Sequence, residues 1–560
     1  MKRFFLLGFA MLYCFMSHAA APVITLASDQ GGSLLAIGTS SPYAVSTAVN
    51  DPTDPLATDG ILLNVTNSPT SFTFSSNNTS VVTNSNCSCT LVSGTIYRLI
   101  IRATGKGYAT VSVTAFNGSN SSAFKVNVAS SAASERSDST TFHTLIADAS
   151  AAAEVGEDYM LIADDETNLL RLYNRNRSGA SIKTFDVTTG AGGTNGEEFD
   201  IEAASASHIY PNRIYWATSM GNNKSGKLKP YRNRVFATEI SGTGTSTTVT
   251  VKSYTDKMRD ALISWGNSYG WDFTNSAKKN MIPKDIAGFN IEGLSLRMNG
   301  EEAFIGFRAP CVPVKNTTPT SSNRKYAILA PVKNFETMLN VNGKSSINPT
   351  FGEPVLFDFN SLGIRSIEKA GTAGYLIIAG LYTGGGSPSV YLWNGRAPEN
   401  SGSNPISVGS DLVKLDIDLS NLVQPSTDGG VEGHPEALMA IQDGNTITIY
   451  IICDNGSVDY YGDGNEAKAL TNDQFKKFRQ DIFTYVIPEE FVTENTETVQ
   501  DAPLGIRILG NNIMTDDKSV INIFDLYGKP VTSGVGSVTV PSGIYIAKTS
   551  NATVKVIVTQ

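Results

Sequence analysis

Apolar and polar positions fall in short runs along this chain. Stretches rich in Val, Ile, Leu and Tyr are broken by clusters of Gly, Asn, Asp, Ser and Pro. That texture predicts many short strands joined by turns, and so an all-β protein. The run Tyr108-Ala109-Thr110-Val111-Ser112-Val113-Thr114-Ala115 alternates with a period of two, as a half-buried strand must. With Ile61-Leu62-Leu63-Asn64-Val65, Tyr97-Arg98-Leu99-Ile100-Ile101 and Ala123-Phe124-Lys125-Val126, it predicts a β-sandwich over residues 21–130. Residues 131–139, rich in Ser and Ala, read as a linker.

From 140 to 490 a four-strand pattern recurs. A first strand opens near a charged residue, a strongly apolar second follows after a turn, and two more complete the unit. The openings are Asp148, Glu202, Glu292, Arg365 and Glu436, spaced by 54, 90, 73 and 71 residues. Uneven four-strand repeats of this size fit propeller blades with loop insertions, because a closed ring hides sheet edges that long apolar strands would otherwise expose. The count is five blades, with six as the alternative, and Phe142-His143-Thr144-Leu145-Ile146 is placed to complete the last blade. Met258, Leu262 and Trp265 have helical spacing inside the insertion 255–286. After a linker at 491–505, residues 506–560 predict a small β-sandwich.

The N-terminus predicts export. Lys2 and Arg3 precede an apolar stretch over 4–15 that is too short to span a bilayer, and Ser17-His18-Ala19 supplies small residues for cleavage, so residues 1–20 read as a signal peptide. Tyr13 stands where a lipoprotein needs a small residue before Cys14. The chain has 560 residues, which implies several domains, and 41% hydrophobic content argues against disorder. A formal net charge of -9 disfavours nucleic acid, whose phosphates call for a basic face. Cys87 and Cys89, one residue apart, make a poor disulfide pair, and Cys311 and Cys453 read as buried thiols. No cysteine or histidine spacing matches a zinc site.

Four resemblances follow. The strand from Gly107 to Ala115 resembles the "G-x-A-x-V-x-V-x-A" strand of bacterial immunoglobulin-like domains. Leu161-Ile162-Ala163-Asp164-Asp165, Ile291-Glu292-Gly293-Leu294 and Leu376-Ile377-Ile378-Ala379-Gly380 resemble, in order, a bacterial propeller family catalogued only as a domain of unknown function. The "I-E-G-L" opening also looks, more loosely, like phytase and esterase-like-phytase propellers. Ile521-Asn522-Ile523-Phe524-Asp525-Leu526-Tyr527-Gly528 with Ser542-Gly543-Ile544-Tyr545-Ile546 resembles the C-terminal sorting domain of the Bacteroidetes type IX secretion system. That resemblance implies engagement of the secretion machinery, then release or attachment at the outer-membrane surface, with the periplasm as the alternative location. No transmembrane segment is expected after cleavage.

Propeller topology sorts the polar residues. First strands start, and second strands end, at one face. Asp148, Glu202, Glu292 and Glu436 are therefore expected to ring the channel mouth with Arg365, and Asp164, Asp165, Arg308 and Asp454 to stand just outside. Crowded carboxylates need a cation, a shared proton or an arginine. An oxygen-only set suits calcium, which gives Asp148, Glu202, Glu292 and Glu436 as candidate ligands. Trp265 and Trp271 are candidates for stacking on a ligand, or for anchoring their loop. The basic loop 221–234 is a candidate anion contact or a solvated face. No G-x-S-x-G elbow or HExxH motif is present. The leading expectation is a propeller binding an extracellular ligand, whether glycan, protein or metal-bridged anion, at an acidic, loop-rich face. The alternative is a calcium-dependent phosphoesterase or esterase using Glu202, Glu292, Glu436 and Arg365. Capping of each blade by its acid is the structural alternative to both.

Overall fold

The computed structural model describes residues 20–27, 36–37, 43–49, 55–58, 60–131 and most of 140–488. Within that last stretch, 195, 211, 384–385, 420–421, 423, 426–430 and 433 are outside the description. Residue 491 and the segments 506–509, 512–515, 520–525, 529–541, 543–549 and 553–558 complete it. Residues 1–19 of the expected signal peptide, 132–139 of the expected linker at 131–139 and 492–505 of that at 491–505 lie outside the described residues, as do Gly384 and Gly385. Residues up to Val486 form one compact unit and residues from Ile487 a second.

The first unit begins with a β-sandwich. One sheet orders Val23–Leu26, Ile61–Thr66, Ile96–Ile101 and Cys87–Ser93, and the other Ala36–Ile37, Tyr43–Ala48, Asn120–Ser131, Gly107–Asn117 and Ser71–Ser76. The period-two strand buries Ala109, Val111, Val113 and Ala115 against Leu63, Val65 and Leu99 of the facing sheet. Each buried Val or Leu contributes about 1.5–3 kcal/mol.

A β-propeller follows. Among the described residues, five antiparallel sheets carry the four-strand order first, second, third, fourth. Their inner strands are Ala149–Val155, Ile201–Ala206, Asn290–Leu296, Gly363–Lys369 and His434–Asp443. Each packs against the next, and the fifth packs back on the first, so the ring is closed. Small residues make the approach possible. A Cβ on Gly306 would stand 2.8 Å from Ile364 Cγ2 and 3.1 Å from Gly293 Cα, which is where the third and fourth sheets meet. Large rings fill the spaces further out: Trp393 packs with Phe304, Phe357 and Tyr375 between these two sheets. The helix Met258–Ser268 buries Met258, Leu262 and Trp265, the three residues at helical spacing.

The ring is sealed by a strand from before the first blade. Thr140–Thr144 pairs antiparallel with Lys477–Val486, Thr140 opposite Asp481 and Thr144 opposite Lys477. The Thr140 hydroxyl donates to Asp481 Oδ1 at 2.5 Å. The same seam holds the sandwich. Lys477 is fully buried, donates to the Thr47 carbonyl at 2.6 Å, and lies 5.2–5.4 Å from the rings of Phe142, Tyr460 and Tyr461. A desolvated ammonium facing several rings gains about 2 kcal/mol or more, so this lysine ties sandwich, latch and last blade together.

The second unit is a small two-sheet β fold. Val520–Phe524, Pro530–Val535, Gly543–Lys548 and Thr553–Val558 form one sheet, and Ile506–Leu509, Asn512–Thr515 and Ser537–Thr539 the other, around Ile513, Ile521, Ile523 and Val556. Among the described residues no helix is long and apolar enough to cross a membrane. Cys87, Cys89, Cys311 and Cys453 are free thiols.

The latch contains His143, fully buried and stacked 5.1 Å from Phe478, with Thr141 Oγ1 in hydrogen-bond reach of Nε2 at 3.1 Å. Burial pushes its pKa down from 6.5 to about 3. The folded ring is thus neutral where the unfolded chain already binds a proton, and stability must fall as pH drops from about 6.5 toward 3. The expected loss is roughly 1 kcal/mol per pH unit in that window. Urea unfolding at several pH values should show a shallower slope for His143→Gln than for the natural chain, and equal slopes would refute the assignment.

Candidate functional site

The inner strands share one irregularity. In every blade the register between first and second strands slips by one residue near the channel mouth, and the slipped residues are Ser150, Glu202, Glu292, Arg365 and Glu436. A bulge leaves a residue unpaired and re-aims its side chain. These five are the true equivalents around the axis. Each precedes a small residue: Ala151, Ala203, Gly293, Ser366 and Ala437. The first position is therefore Ser150, not Asp148, and its hydroxyl donates to the Ile201 carbonyl at 2.5 Å. Asp148 lies two residues earlier, bridged to Asp454 at the end of the fifth blade's second strand. Asp200 holds the corresponding place in the second blade.

The ring divides into two sectors. Arg365 stands between two acids: its Nε reaches Glu292 Oε2 at 2.9 Å, and its Nη2 pairs with Glu436. Arg308, at the end of the third blade's second strand, adds a contact to Glu292 Oε1 at 2.5 Å. All four side chains are at least 90% buried. Two arginines and two glutamates thus neutralise one another. Glu292 and Glu436, two of the four expected calcium ligands, therefore face arginines.

The other sector holds acids without that compensation. Glu202 is 8% exposed and, among the described residues, has no hydrogen-bond or ion-pair partner. Its carboxylate oxygens lie within 4.8 Å of those of Asp165 and Asp200, and Asp165 is equally close to Asp148 and Glu166. Asp165 Oδ1 is buried and unbonded. Among the described residues only Asp200 of this group forms an ion pair, with Arg232 at 2.6 Å, which the basic loop supplies and which also pairs with Glu198, while Lys468 acts on Asp148 without pairing with it. Burial first, and repulsion from neighbouring acids second, push Glu202 and Asp165 well above the usual carboxylate range. Burial and Asp454 raise Asp148 to about 8. Asp200 rises less, to about 6, because Arg232 opposes its burial.

A cavity of about 380 Å³ opens beside this sector, between the first and last blades. Asp148, Asp164, Glu166, Lys468, Asp473 and Lys476 are among its lining residues. Asp164 is committed to the local turn: it pairs with Arg171, and it accepts from Thr167 Oγ1 at 2.8 Å and the Glu166 amide at 3.1 Å. Asp454 accepts from the Gly456 amide at 2.8 Å.

Trp265 and Trp271 do not reach the mouth. Trp271 is fully buried and Trp265 nearly so, both packed with Phe273 in the core between the second and third blades. Trp265 donates to the Gly352 carbonyl at 3.0 Å. Of the two sequence alternatives for these rings, the structure has them anchoring the loop.

No family model matches the chain, and no curated protein matches it. Among solved structures it is similar to a Bacteroides thetaiotaomicron protein provisionally described as a phosphatase (10% identity, 86% of this chain and 94% of that one, TM-score 0.27). It is similar to virginiamycin B lyase from Staphylococcus aureus (10% identity, 62% and 99%, TM-score 0.25). It is also similar to a DUF4623 family protein from Bacteroides eggerthii (10% identity, 82% and 98%, TM-score 0.24). Likenesses this distant leave the assignment of fold to the sheets themselves.

The two sectors should respond oppositely to neutralisation. Arg365→Met leaves Glu436 buried without its cation and should cost about 3–5 kcal/mol. Glu202→Gln removes a repelling charge that bonds to nothing, so in metal-free buffer it should leave stability unchanged or raise it. Urea midpoints of the two variants against the natural chain check both signs.

Proposed function

We propose that this chain is an exported β-propeller protein that binds an extracellular ligand at its channel mouth. The observation that carries the reading is the asymmetry of the mouth. One sector is self-neutralised by Arg308 and Arg365, and the other gathers Asp148, Asp165 and Glu202 with no ion pair among the described residues, beside an open cavity rimmed by Lys476 and by Lys468, whose charge acts on Asp148. Unmatched buried acids cost stability, and a protein that keeps them beside a cavity has a use for the charge. Acids and lysines on one rim suit an anionic ligand, such as a glycan bearing uronate or phosphate groups, held by lysine directly and by the acids through a cation.

Binding is favoured over hydrolysis by the state of the groups the hydrolase would use. Of the three carboxylates the hydrolase would use, Glu292 and Glu436 are engaged by Arg365, which leaves Glu202 alone unpaired among the described residues and gives a general acid no free second carboxylate of that set to work with. The N-terminal sandwich serves in this reading as an immunoglobulin-like spacer, held to the propeller through Lys477.

An array of uronate- and phosphate-bearing glycans tests the reading on the full mature chain. Retention of one or more members is expected, with affinity at least about tenfold weaker in Lys468→Glu, the factor that follows from about 1.4 kcal/mol. Hydrolysis of p-nitrophenyl acetate and phosphate is expected at the buffer rate. No retention, or turnover abolished by Glu436→Gln with the fold intact, would defeat it.

Export rests on the N-terminal pattern and on the sorting-domain resemblance of residues 506–560. Removing residues 506–560 should leave a folded propeller inside the outer membrane. Fractionation showing the truncated chain still at the surface would remove the sorting role.

A further inference from the structure

We infer that Asp165, Asp200 and Glu202 hold a single hard divalent cation, calcium by preference, on the uncompensated side of the channel mouth. The inference deepens the ligand-binding reading and rests on it only for the cation's purpose, not for its presence.

The three carboxylates come from adjacent blades. Asp165 follows the second strand of the first blade, Asp200 opens the second blade, and Glu202 sits on its bulge. Each offers an oxygen within 4.8 Å of the others, a spacing that ligands of one ion can adopt, since calcium–oxygen distances are about 2.3–2.6 Å. Proximity of acids alone would mean little, because such groups commonly pair with arginine or spread into solvent.

The second observation is Glu202 itself. This side chain is more than nine-tenths buried, lies close to two other carboxylates and has no hydrogen-bond or ion-pair partner among the described residues; Arg308, the cation that acts on it, is paired with Glu292. Its three equivalents with charge, Glu292, Arg365 and Glu436, all have partners. Asp165 Oδ1 is likewise buried and unbonded. Arg232 occupies one oxygen of Asp200 and leaves the cluster negative overall.

Ligand type selects the class of ion. All three donors are carboxylate oxygens, with no sulfur or imidazole in the set, which suits calcium or magnesium over zinc or copper. The shared Asp165 then connects the ion to Asp148 and Glu166 on the cavity side. An anion entering the cavity would meet lysine ammoniums at the rim and the ion's field behind Asp165. This assignment moves the cation from the four-blade ring to the boundary between the first and second blades.

Calorimetric titration of calcium into the EDTA-stripped full mature chain, with no ligand present, tests the proposal, and thermal unfolding is read in parallel. Calcium at about 100 times its Kd is expected to raise the propeller's Tm by about 3 °C or more. Glu202→Gln and Asp165→Asn should each abolish the heat and the shift. Asp260→Asn, at an exposed helix acid, should change neither. Absence of heat and shift with both calcium and magnesium in the natural chain overturns the proposal, as does an undiminished response in Glu202→Gln and Asp165→Asn. Glycan retention in EDTA separates the two readings. Calcium binding without any retained glycan sinks the ligand and keeps the cation, whereas full retention in EDTA with no calcium response does the reverse.

Discussion

A ring of sheets closed on itself has one narrow axis, and every charged side chain turned toward that axis must be matched there. In this protein the turning is done by a bulge repeated at the same register of each inner strand, which sets Ser150, Glu202, Glu292, Arg365 and Glu436 around the mouth. Burial makes solvent a poor partner for these groups, and opposite charge or a bound ion must take its place. Arg365 meets that demand for two neighbours at once, with Arg308 reinforcing one of them. Among the described residues no side chain forms an ion pair or hydrogen bond with Glu202, and the arginine that acts on its charge, Arg308, is paired with Glu292. Closure therefore concentrates the electrostatic cost in a single sector, and that is the sector with the cavity.

Closure itself depends on a few contacts at the seam. The fifth sheet is completed by Thr140–Thr144, a segment lying before the first blade, so the ends of a stretch of about 340 residues are joined by one strand pair. His143 packs on Phe478 and Tyr173 there, and the Tyr173 hydroxyl donates to the Thr144 carbonyl at 2.6 Å. Lys477, on the partner strand, faces the sandwich instead and donates to Thr47. The sandwich is thus fastened at the place where the ring is weakest in chain connectivity. Ser46 Oγ, 2.9 Å from the Tyr461 hydroxyl, and Tyr108, donating to Asp463 at 3.2 Å, extend the same contact.

Much of this was legible in the sequence, for a physical reason. Strands buried on both faces must be apolar, turns must break them, and a long alternating run such as 107–115 can be little else. The latch was legible too, because an apolar run before the first full unit needs a sheet to join. The ring was only partly legible. Charge marks four of its positions, but the fifth is Ser150, which an alanine-rich strand does not distinguish from its neighbours, and Asp148 nearby drew the assignment away. The pair formed by a polar residue and a small one, Ser150-Ala151 like Glu202-Ala203 and Glu436-Ala437, is the signal that would have found it. The pairing of Arg308 with Glu292 joins residues 16 apart through a bulge on each strand, and spacing alone does not disclose it. Trp265 and Trp271 show the usual ambiguity of aromatics in an insertion: the rings that attract a functional reading are the ones large enough to nail the insertion down.

The division of the mouth also bears on chemistry. A catalytic carboxylate must be free to take or give a proton in reach of substrate, and a residue locked between two guanidinium groups is not. Glu292 meets both Arg308 and Arg365, which commits it to holding blades together. Asp148 and Glu166 face the cavity without such a lock. In the proposed reading a ligand would engage these acids and the adjoining lysines, while the buried arginine-linked pairs hold neighbouring blades together. Matched and unmatched charge thus lie on opposite sides of one ring, and the residue that does most of the matching is Arg365.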